Sequence, residues 1–69
     1  MEKNEVLEFV TQKQRLDDAA GLMMLKYYDY TDNTGSEYAR EFWNDFEDAR
    51  NAYRKVRDEY NGTAEEVLS

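Results

Sequence analysis

Cysteine, histidine, proline and isoleucine are all missing from this chain, and glycine occurs only 3 times. Without Cys there is no disulfide framework and no thiolate metal site. Without His the commonest transition-metal ligand and acid/base group is gone, which removes most enzyme chemistry at the outset. Bases are scarce too: 9 Lys and Arg stand against 16 Asp and Glu, for a net charge of -7 and a pI near 4.4. Affinity for phosphate backbones comes from Lys and Arg releasing condensed counterions, so direct nucleic-acid binding is not expected, and an anionic membrane surface is disfavoured for the same reason. No apolar run approaches the ~20 residues that span a bilayer. The opening MEKNEVLEF also lacks the basic-then-apolar order of a signal peptide, so a cytoplasmic protein is expected.

At 69 residues the chain is one domain at most. A single core of that size seldom supplies more than ~3 to 5 kcal/mol without staples. Leu, Val and Phe together number 12, a share low enough to raise the question of disorder, but six Tyr, three Met and one Trp offset the deficit. Their spacing decides the matter.

Val6, Phe9, Leu16, Ala20, Met23, Tyr27 and Tyr30 recur in steps of three and four, with Lys13 the single polar occupant of the series. Ala39, Phe42, Phe46, Ala49, Tyr53, Val56 and Tyr60 fill a second such series without a break. Both are helical stripes. The spacing predicts an all-α fold, with helix 1 over about 4–30 and helix 2 over about 35–60. Between them TDNTGSE reads as a turn, in which Thr34 and Glu37 form a capping box. Asn61-Gly62 reads as the stop of helix 2, so the hairpin occupies 1–62 and 63–69 forms a mobile tail with one short frayed turn capped by Thr63 and Glu66.

So short a connection makes the helices antiparallel. Counting outward from the turn pairs Tyr27 with Phe42, Ala20 with Phe46, Leu16 with Tyr53 and Phe9 with Tyr60, and lays the stem of Lys13 along Tyr53. The charges fit a macrodipole account: acids of 37–48 near the positive end of helix 2, and Arg50, Arg54, Lys55 and Arg57 toward its negative end, with Glu2, Glu5 and Glu8 beside those bases.

AAGLMML, residues 19–25, is apolar on every side of a helix, more than one seam buries. A second stripe of Leu7, Val10, Gly21, Met24, Leu25 and Tyr28 runs down the outward face of helix 1, with Trp43 flanking the seam of helix 2. This set is the expected partner interface, either between two copies closing a four-helix bundle or with a different protein. The rival accommodation is a wide core stripe lying under Val67 and Leu68.

The turn resembles an EF-hand calcium loop in part, with Asp32, Thr34, Gly35 and Glu41 at ligand-like spacing. Tyr30 stands where the first acidic ligand belongs and Glu37 where an apolar residue is usual, so neither metal nor cofactor is expected. Asn61-Gly62-Thr63 is a glycosylation sequon only in a secreted chain. Asp29, Asp32, Glu37, Glu41, Asp45 and Asp48 form an acidic patch around the turn, against Lys26 and Arg40. The sequence thus points to a non-enzymatic interaction or regulatory protein that occludes a surface on a partner protein as a homodimer. The competing reading is a nucleic-acid mimic that inhibits a DNA- or RNA-binding protein through its carboxylates.

Overall fold

The computed structural model describes residues 3–68 and contains two helices, α1 (Lys3–Asp32) and α2 (Ala39–Leu68), packed as an antiparallel hairpin. The expected all-α hairpin is the observed architecture. Its extents of 52 × 14 × 13 Å and radius of gyration of 15.7 Å describe a rod. A compact chain of this length has a radius near ~11 Å.

α1 ends where its own side chains satisfy the carbonyls that a helix terminus orphans: Thr31 Oγ1 donates to the carbonyl of Tyr28 at 3.0 Å, and Asn33 Nδ2 to that of Asp29 at 2.7 Å. The chain then reverses through successive four-residue turns, in which the amides of Asn33, Ser36 and Ala39 donate to the carbonyls of Tyr30, Asn33 and Ser36. The capping box at Thr34 is corrected by this geometry. The hydroxyl that serves this end is that of Ser36, whose Oγ accepts from the amide of Tyr38 at 3.0 Å in the turn leading into the helix, and α2 begins at Ala39 rather than near Gly35. The amides and carbonyls of Asn33 and Ser36 are committed to the i to i+3 turns of the reversal, so the first helical bond, from the amide of Phe42 to the carbonyl of Tyr38, forms only after them.

The far end of α2 is a second correction. The helix runs through Asn61-Gly62 to Leu68, and no glycine adopts positive φ, so Gly62 is an interior helical residue and not a stop. Residues 63–68 are a continuation of α2 rather than a separate turn, and Ser69, like Glu2, lies outside the described residues. The physical reason is packing: Thr63, Ala64 and Val67 extend the stripe beyond Tyr60 at helical spacing, and all three are half-buried. Burying them outweighs the ~1 kcal/mol by which Gly disfavours a helix interior.

The seam is aromatic at both ends. Phe9 stacks on Tyr60 with centroids 5.3 Å apart, as the outward count expects. Near the turn Tyr27 meets Phe46 at 5.4 Å, one helical turn along from the expected Phe42, and Tyr30 meets Trp43 at 5.1 Å. At mid-length the small side chain of Ala49 lets the helices approach. It is the one residue buried among those described, at 8% exposure. Arg57 lies over the ring of Tyr53 at 6.0 Å, the ring on which Lys13 was expected.

Lengthening α2 also changes the meaning of its charges. Arg50, Arg54, Lys55 and Arg57 stand in the middle of the helix, and its last turn holds no base. The macrodipole account of these bases therefore fails, because the effect fades beyond the terminal turn. Glu5 and Glu8 line a cleft with Thr63, Glu66 and Val67 instead of lying beside the bases.

Candidate interaction surface

Helix packing buries one side of each cylinder, so every apolar residue off the seam stays in water. On α1 this leaves Leu7 at 54% exposure, Met24 at 52%, Leu25 at 63% and Tyr28 at 54%. Val10 and Gly21 are exposed with them. Six of the seven expected interface residues thus share the uncovered side of one helix. The alternative of a core stripe under the C-terminal residues is overturned: α2 runs unbroken to Leu68, Leu68 is itself exposed, and among the described residues Met24, Leu25 and Tyr28 stay more than half exposed.

Trp43 is placed differently. It is half-buried inside the hairpin, its ring 5.1 Å from Tyr30 and 5.3 Å from Phe46, and its Nε1 donates to Glu47 Oε1 at 3.0 Å. An indole in contact with two rings of the seam and with its N–H satisfied locally serves the fold first.

Three residues that the sequence assigned to the seam also reach the surface. Met23, Tyr27 and Phe46 join Met24 and Tyr28 in lining an open apolar groove of about 310 Å³. Two thioethers between aromatic rings make an adaptable lining, because Met has no branch and its sulfur is polarisable. The available signal was the alternation of Met23-Met24 and Tyr27-Tyr28 at i and i+4, which sets one member of each pair toward the seam and the other beside it. Arg50 borders the same face, with its guanidinium 5.7 Å above Phe46 and 3.9 Å from Glu47.

The acidic residues are exposed throughout: Asp29 and Asp32 close α1, Glu37 lies in the connector, and Glu41, Asp45 and Asp48 follow one another along α2 in steps of four and three. Lys26 enters this region. It is half-buried and lines a shallow trough with Leu22, Asp45, Asp48, Ala49 and Ala52, so a cation is set among the carboxylates. Among the described residues no three acids gather as a metal site, and no helix is long and apolar enough to cross a membrane.

Comparison of the chain with protein-family models, curated proteins and solved structures returns no match.

Proposed function

We propose that this chain is a non-enzymatic interaction protein of the cytoplasm, which acts as a homodimer by covering a surface on a partner protein. The observation that carries this reading is the exposed stripe on α1. Met24 and Leu25 are a little over half exposed, so leaving them uncovered forgoes ~1 to 2 kcal/mol for each side chain that association would bury. Aromatic residues such as Tyr28 are also characteristic of binding hot spots, and the flexible lining beside it suits irregular apolar partners.

The test uses a photocrosslinking residue at exposed Leu7 to trap the partner protein in cells, followed by reconstitution of the pair from purified components. Leu7→Glu is expected to weaken that complex by at least about tenfold, since it buries an unpaired charge in the contact. Glu41→Lys with Asp45→Lys is expected to change it by less than about threefold at physiological salt. The opposite ordering, with binding that collapses as salt rises, supports the second reading, a carboxylate surface that imitates a phosphate backbone. The exposed succession Glu41, Asp45 and Asp48 is what favours that alternative, and Lys26 in their midst counts against it.

A further inference from the structure

We infer that the occupant of the Gly21 to Tyr28 part of the α1 stripe is a second copy of this chain, docked antiparallel and staggered, with its two-fold axis at the level of Gly21 to Leu25, while Leu7 and Val10 lie beyond the overlap and stay open to a different partner. The inference rests on the self-association proposed above and specifies its geometry. Three observations carry it.

The first is area. The chain exposes 5374 Å². A compact monomer of 8.2 kDa exposes about 4,500 Å². The surplus of about 850 Å² is close to the ~800 Å² that each partner contributes to an interface of standard size. One further hairpin laid along the rod is the right amount of cover.

The second is Gly21. It sits inside α1, exposed, and a Cβ built on it meets nothing within 4 Å. Gly62 is equally open, so the space alone singles out nothing, but Gly21 lies on the exposed apolar stripe, and packing within the hairpin gives no reason for a glycine there. Close approach of another backbone does, and the axis proposed sets Leu25 of one copy over Gly21 of the other.

The third is charge, which selects the register. The rod carries three bands, whose levels follow from the Phe9–Tyr60 and Tyr27–Phe46 contacts. The turn end, residues 27–45, holds five acids against Arg40. The middle, residues 12–19 with 52–58, holds five bases against Asp17, Asp18 and Asp58. The open end, residues 3–11 with 60–68, holds four acids against Lys3. Two rods in full antiparallel overlap set acidic turn over acidic open end, and two parallel rods set like over like everywhere. An axis at Gly21 to Leu25 instead places each acidic turn over the partner's basic middle, twice by symmetry. An axis nearer the open end also matches acid with base, but it leaves the apolar groove of Met24 and Tyr28 uncovered. Arg57 already pairs with Asp58 within α2, and it is Lys13, Arg15, Arg54 and Lys55, which the helix dipole does not explain, that gain a counterpart.

Charge reversal in trans tests the register. One variant carries Arg54→Glu and Arg57→Glu, the other Asp29→Lys and Asp32→Lys, with the helicity of each confirmed by circular dichroism. Sedimentation velocity of the unaltered chain is expected to show a concentration-dependent dimer. Each variant alone is expected to associate about tenfold more weakly, and their equimolar mixture to recover the dimer, because both mixed contacts then join opposite signs. Spin labels at exposed Thr11 and Asn51 give the geometry directly. Thr11 lies twelve residues from Met23, so an axis at that level sets the two Thr11 labels about 36 Å apart along the bundle, and the Asn51 labels within about 10 Å along it. A dimer in which the variants show no preference for each other, or in which the Thr11 labels are the nearer pair, overturns the stagger while self-association stands. A monomer at every concentration overturns both.

Discussion

Gly62 shows how a single residue is read differently by local rules and by packing. After Asn61 it has the identity of a helix stop, yet it sits in ordinary helical conformation with open space around it. Gly62→Ala is accordingly expected to raise stability by about 0.5 to 1 kcal/mol in urea denaturation. A left-handed cap at this position would be destabilised by the same change, so the sign of the effect reports which geometry the chain adopts. Trp43 is the complementary case, a residue whose type suggests a partner but whose contacts are internal. Trp43→Ala removes its packing against Tyr30 and Phe46 and is expected to cost about 2 to 3 kcal/mol of hairpin stability, less than for a fully buried Trp. Both measurements belong at one fixed protein concentration, because association shifts apparent stability.

At the scale of the element, the helices are legible because the stripes persist for so many turns, whereas their ends depend on a few groups. Thr34 and Ser36 are both acceptable caps by composition. Only the path of the chain through the reversal selects Ser36, whose hydroxyl accepts from Tyr38 and whose carbonyl accepts from Ala39. Ser36→Ala is expected to lower stability by about 1 kcal/mol, and Thr34→Ala by less than about 0.5 kcal/mol, in matched thermal and urea melts. Equal effects would return the cap to Thr34. Charge contributes little here: the Arg50–Glu47 and Arg57–Asp58 pairs lie within α2 and are partly exposed, each worth at most ~1 kcal/mol.

For the whole molecule the governing fact is geometry, since two cylinders in contact along one line cannot enclose a core. Ala49 is buried, the aromatic seam is half-buried, and the stripe on α1 is left to whatever associates with it. A chain so built should depend on its concentration. The melting temperature is expected to rise by several degrees between micromolar and hundred-micromolar protein, and Leu25→Glu to abolish that dependence. A melting temperature that stays constant over this range would count against stabilisation by association.

The sequence by itself determined the two helices, the antiparallel turn and the outward stripe of Leu7, Val10, Gly21, Met24, Leu25 and Tyr28, because all of these follow from residue spacing along a helix of fixed pitch. Only the tertiary structure decided where α2 starts and stops, that Trp43 belongs to the seam, and that Arg50, Arg54, Lys55 and Arg57 stand at mid-rod away from any helix terminus. Those outcomes turn on which side chains across the gap repay an unfavourable local choice, as Thr63, Ala64 and Val67 do at Gly62. No count of intervals along one strand of chain contains that information.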